Sequence, residues 1–70
     1  MKMDAMNEAF RVYGFEVIRR YDPTSESYEF TLRKGGIELT VIYKWPDDQH
    51  IFISNTIQLF KQKIPGRLVA

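Results

Sequence analysis

The chain contains no cysteine. This excludes disulfide stapling, and with it any cysteine nucleophile or thiolate metal site. Small exported domains usually carry disulfides, so the absence points to a reducing, cytoplasmic setting. Histidine is nearly absent, His50 being the single one. A nucleophile–base–orienter set would have to draw on His50, Ser54 and Asp47 or Asp48, a combination that any short polar loop offers. Asp47, Asp48 and His50 also match no metal-ligand spacing. The expectation is a chain that is not an enzyme and holds neither metal nor cofactor.

A surplus of one charge is missing too. Ten basic and nine acidic residues leave a formal net charge of +1, whereas nucleic-acid-binding domains usually carry a clustered basic excess. Long apolar runs are absent, and the N-terminus lacks a basic-then-apolar pattern, so neither a membrane span nor an export signal is expected. There is no internal repeat or low-complexity segment. Seventy residues make one small domain, in which oligomerisation is a common source of extra stability.

What the chain has is period-two alternation from Gly14 to Trp45, in the runs GFEVIRRYD, SYEFTLRK and GIELTVIYKW. Such alternation marks strands with one wet and one buried face. Asp22-Pro23-Thr24-Ser25 and Gly35-Gly36 separate the runs as turns. A two-residue loop at Gly35-Gly36 sets Arg33 against Glu38, Thr31 against Thr40, Phe30 against Val41 and Tyr28 against Tyr43. A four-residue loop at 23–26 sets Glu16 against Arg33, Ile18 against Thr31 and Arg20 against Glu29. One face then carries Val17, Tyr21, Tyr28, Phe30, Leu32, Leu39, Val41 and Tyr43. The other carries a Glu16–Arg33–Glu38 ladder with Arg20–Glu29 beside it. Opposite charges and Thr–Thr pairs are favourable directly across a ladder, and a slip of one residue would invert both faces. The spacing therefore predicts a three-stranded antiparallel meander.

Arg19 breaks the pattern by falling on the apolar face opposite Phe30. It reads as an arginine snorkelling from an edge strand or re-aimed by a bulge, with an anion-binding arginine under the helices as the functional alternative.

Residues Met3 to Tyr13 form a helical stripe of Met3, Met6, Phe10 and Tyr13, widened by Ala5, Ala9 and Val12. Gly14 follows as the residue that ends the helix in a left-handed turn. After the break Pro46-Asp47-Asp48-Gln49, a second helix is predicted over 50–64, with Ile53, Ile57, Phe60 and Ile64 in one stripe and Phe52 and Leu59 extending it. A short strand at 50–53, with Ser54 or Asn55 capping a shorter helix, is the competing reading. Pro65-Gly66 should end the helix and leave 67–70 as a tail. The fold class is α+β, in the order αβββα, with both helices packed on one face of the meander.

This order, a helix running into Gly14-Phe15, a strand, a glycine-containing hairpin, a strand and a closing helix, resembles the small HicA-type toxin domain, which is related to double-stranded-RNA-binding folds. The likeness covers most of the chain and implies the same fold. The family cleaves messenger RNA with a histidine on its second strand. Here that strand is SYEFTLRK, without histidine, and His50 follows the sheet, so the resemblance supports the fold and carries no activity to these residues.

The function expected is a non-catalytic protein-interaction module, a small regulator or inhibitor of the kind mobile elements encode. Trp45, Phe52, Leu59 and Lys63 are the candidate contacts, with another protein or a second copy as partner. The alternative is a small nucleic-acid-binding domain using Arg19, Arg20, Lys34, Lys61, Lys63 and Arg67. In that case Tyr21, Tyr28, Tyr43 and Trp45 would stack bases at an uncovered end of the sheet.

Overall fold

The computed structural model describes residues 3–63. Ile64, the expected stop at Pro65-Gly66 and the expected tail with Arg67 lie outside the described residues. The order is α1 (Met3–Val12), β1 (Glu16–Asp22), β2 (Ser27–Lys34), β3 (Ile37–Lys44) and α2 (Gln49–Lys63). The sheet is antiparallel with β2 in the centre, so β1 and β3 are both edges.

The two turn lengths set the register. Asp22 pairs with Ser27 and Lys34 with Ile37, and every cross-strand pair expected from the sequence is present, including Glu16–Arg33–Glu38 and Arg20–Glu29. At the first turn the Asp22 carboxylate accepts from the Ser25 hydroxyl at 3.0 Å and the Thr24 N–H at 2.9 Å. These bonds hold its pKa below the ordinary aspartate value, the Ser25 hydroxyl contributing most. Gly35 and Gly36 take φ of 58° and 77°, the two positive values a type I′ hairpin needs. On the open face Arg33 Nε donates to Glu38 Oε1 at 2.8 Å. The Glu38 carboxylate first, and Glu16 after it, stabilise the Arg33 guanidinium and raise its pKa.

Helix α1 ends in a Schellman motif. The Phe15 N–H donates to the Phe10 carbonyl and the Gly14 N–H to Arg11, while Gly14 sits at φ 91°. The accompanying apolar contact is Phe10 edge-on to Phe15, with ring centroids 6.2 Å apart. The helix is one residue shorter than the sequence stripe suggests. Val12, expected on the apolar side, is 82% exposed, and Tyr13 follows in the turn, more than half exposed. The buried arc of α1 is the narrower Met6–Phe10 line, because one helix on one side of a small sheet has only a single neighbour on its flank, α2.

Helix α2 begins at Gln49 and is unbroken, so residues 50–53 are helix and the short-strand reading is excluded. Asp48 is the N-cap, its Oδ1 accepting from the Ile51 N–H at 2.9 Å. The chain reaches this cap through a turn at Lys44–Asp47 with a cis Trp45–Pro46 bond, closed by Asp47 N–H to the Lys44 carbonyl. Mid-helix, the buried Thr56 hydroxyl donates to the Phe52 carbonyl at 2.7 Å, which satisfies it without a tertiary partner.

The core lies between the helix pair and one sheet face: Met6 and Phe10 from α1, Ile53 and Phe60 from α2, and Phe30, Leu32 and Tyr43 from the sheet, with Phe15 closing one end. Phe52, partly buried, packs against it, with centroids 6.2 Å from Phe10, 5.7 Å from Phe30 and 5.1 Å from Tyr43. Edge-on and tilted aromatic pairs at such distances add stability beyond area burial.

Candidate functional site

The sequence names Phe52, Leu59 and Lys63 of α2 as candidate contacts, with Trp45 beside them. The three α2 residues share one side of the helix, since residues seven and four apart nearly superpose in projection. The structure separates their roles. Phe52 is partly buried, its ring packed against Phe10, Phe30 and Tyr43, so most of its surface is engaged with the core. Leu59, two turns on, is 47% exposed. Lys63 reaches down to the sheet and donates from Nζ to the Glu38 carbonyl at 2.9 Å. With Phe52 anchored at Tyr43 and Lys63 at Glu38, Leu59 lies between them, above the middle of β3.

The direction of the β3 backbone follows from the hairpin. Lys34 and Ile37 close the type I′ turn and exchange ladder hydrogen bonds. Alternation then turns the N–H and C=O groups of Glu38, Thr40, Ile42 and Lys44 away from β2, toward the free edge. The Lys63 bond to the Glu38 carbonyl agrees with this assignment. Thr40 and Ile42 present unpaired backbone along the same edge. Ile42 is 54% exposed on the open face below, and Leu59 stands above on the helix side. Trp45, 63% exposed, follows directly at the end of the strand. An edge with free backbone and apolar side chains on both sides can accept another strand. Of the residues along this edge the sequence singles out Leu59, Lys63 and Trp45, and not Thr40 and Ile42. Their signal lay in the turn lengths, which make β3 an outer strand and fix which residues face out.

The nucleic-acid candidates do not converge. Arg19 and Arg20 project to opposite faces of β1, as successive strand residues must. Arg19 turns under α1 without any bulge in the register, its Nη2 3.4 Å from Asp4 Oδ1 and its guanidinium 5.8 Å from the Tyr28 ring. Arg20 lies on the open face across from Glu29. Lys34 donates to the Tyr13 carbonyl at 2.6 Å and lies 5.6 Å from the Phe15 ring. Lys34 and Lys61 both line the rim of an apolar hollow of about 400 Å³ floored by Phe15, Ile37, Ile57 and Phe60. Lys63 is engaged at the β3 edge, and Arg67 lies outside the described residues. Of the stacking candidates, Tyr43 is buried and hydrogen-bonded to the Asp47 carbonyl. Tyr21 packs on Tyr28 at 4.9 Å.

His50 stands exposed in the first turn of α2, beside a groove it shares with Ser54, Ala9 of α1 and Tyr13 of the turn that follows α1. Among the described residues it makes no side-chain hydrogen bond to Ser54, Asp47 or Asp48, and no group of three His, Asp or Glu residues could hold a metal ion. No helix among the described residues is long and apolar enough to cross a membrane.

No protein-family model, curated protein or solved structure matches the chain. The likeness to HicA-type domains therefore rests on element order, and β2 carries no histidine at any position.

Proposed function

We propose that this chain is a non-catalytic interaction module that docks an extended segment of another protein on the outer edge of β3, beneath the Leu59–Lys63 flank of α2. The observation that carries the reading is the outward-facing backbone of Thr40 and Ile42, set between the exposed side chains of Ile42 and Leu59. Main-chain hydrogen bonds along such an edge supply affinity, and flanking apolar side chains supply selectivity. A regulator or inhibitor of this size needs no more than one such edge. Arg19, Arg20 and Lys63 lie apart from the hollow that Lys34 and Lys61 line, which favours this reading over nucleic-acid binding, since that calls for a continuous basic track.

The test compares protein capture by the tagged wild-type chain with capture by Thr40→Pro and Leu59→Lys. Proline at Thr40 removes an N–H that the ladder does not use, so the edge is blocked while the sheet is kept. Capture lost in both variants, with circular-dichroism spectra unchanged, is the expected result. Equal capture by all three proteins contradicts the assignment.

A further inference from the structure

The β3 edge is self-complementary. A two-fold axis perpendicular to the sheet must pair residues of the same face, so an antiparallel pair of identical strands has few allowed registers. Centred on Val41, the register sets Glu38 against the partner's Lys44, Leu39 against the partner's Tyr43, and Thr40 against the partner's Ile42. Each relation occurs twice by symmetry. The outward-facing residues are Glu38, Thr40, Ile42 and Lys44, and in this register they meet only one another. The hydrogen-bonding positions therefore coincide without any bulge.

The charges agree as well. Within one chain the open face carries Glu16, Arg33 and Glu38 in a row across three strands. The partner's Lys44 would be the next member, continuing the alternation of sign into the second sheet. Among the described residues Lys44 has no carboxylate within ion-pair distance in the single chain, and its neighbour on β2 is Ser27. On the helix side, Leu59 stands half-exposed between Phe52 and Lys63, which reach Tyr43 and Glu38 of β3, so the two copies of this leucine would approach each other beside the axis. Lys63 already holds the Glu38 carbonyl. The inner Thr40–Ile42 pairs leave that bond undisturbed. The other edge offers no equivalent. Centred on Ile18, β1 pairs Glu16 with the partner's Arg20 but sets Val17 against the partner's Arg19, which in each chain is turned under α1 toward Asp4. Centred on Arg19, it opposes like charges.

We infer that the occupant of the β3 edge is a second copy of this chain, paired antiparallel about Val41 into a six-stranded sheet. The inference rests on the reading of that edge as the docking surface and names its partner.

The experiment is sedimentation equilibrium on the full chain, from low to high micromolar concentration, with Lys44→Glu, Glu38→Lys, the double variant and Thr40→Pro. All three positions are solvent-facing, and circular dichroism checks that each variant is folded. The wild type is expected to reach dimer as concentration rises. Each single charge reversal opposes like charges twice across the axis and weakens association by about tenfold or more. The double reversal restores the pairs and the dimer, and Thr40→Pro abolishes it. Dimers indifferent to the single reversals, or a double variant as weak as its parents, overturn the register and with it the inference. A wild type that stays monomeric throughout also overturns the second-copy inference. The wider docking reading is then decided separately by the capture test with Thr40→Pro and Leu59→Lys.

Discussion

The Lys34 ammonium donates to the Tyr13 carbonyl at 2.6 Å, which ties the last residue of β2 to the C-terminus of α1. The lysine supplies a donor where a helix leaves carbonyls unmatched, and its charge opposes the negative end of the helix dipole. Lys34→Met keeps the stem over Phe15 but removes the donor. The expected cost is about 1 kcal/mol in chemical denaturation. A variant as stable as wild type would show that the bond contributes nothing.

Gly14 stands under the same lysine. A Cβ there would lie 3.3 Å from Lys34 Cε and Nζ, on a backbone at φ 91° that other residues rarely adopt. Gly14→Ala should cost about 1–3 kcal/mol. Because part of that cost is displacement of Lys34, it should be smaller in a Lys34→Met background. A double-mutant cycle with no coupling would contradict the contact.

Phe52 and Leu59 should part company when truncated. Phe52→Ala removes a ring packed on three others and should cost about 3–5 kcal/mol, enough to unfold much of a domain this small. Leu59→Ala should change stability by no more than about 0.5 kcal/mol, as for other surface substitutions. Thermal melts of the two proteins make the comparison.

This pair also marks where the sequence stopped being informative. The strand register could be read because two turn lengths and a charge ladder constrained it independently, and one wrong residue would have spoiled both. The α2 stripe had no such second constraint. Phe52 and Leu59 lie on the same side of one helix, and only the tertiary position of Tyr43 and Phe30 beneath the first turns decides that one packs against the core and the other stands half-exposed. Lys34 was equally opaque. Its partner is a backbone carbonyl 21 positions away, and a backbone carbonyl leaves no mark in a sequence pattern. The free backbone of Thr40 and Ile42 was implicit in the hairpin length, because a two-residue loop fixes which β3 residues turn outward.

Acid should loosen the first hairpin before the rest. The Asp22 carboxyl has a folded pKa below its ordinary value because Ser25 and Thr24 donate to the charged form. Its contribution is therefore present above the unfolded value of about 4 and is lost as pH falls through the lower folded value. Amide shifts of Thr24 and Ser25 should titrate in that acid range. Asp22→Ala should remove the transition, and persistence of the transition would assign it to another group.

Nucleic acid should bind weakly or not at all. Fluorescence anisotropy with labelled single- and double-stranded DNA and RNA at about 50 and 200 mM salt separates the cases, because phosphate-driven binding falls steeply over that range. A strong, salt-sensitive signal would move attention to Lys34 and Lys61 at the rim of the apolar hollow.

The outward edge of β3 is the centre of the account, and amide hydrogen exchange measures it residue by residue. In the dilute chain the Thr40 and Ile42 N–H groups should exchange far faster than those of Val41 and Tyr43, which face β2. In the associated state, with a second copy or another bound protein, Thr40 and Ile42 should become protected alongside them. Slow exchange at Thr40 and Ile42 in the dilute chain, or protection on association that appears only around Tyr13, Ile57 and Lys61, would contradict it.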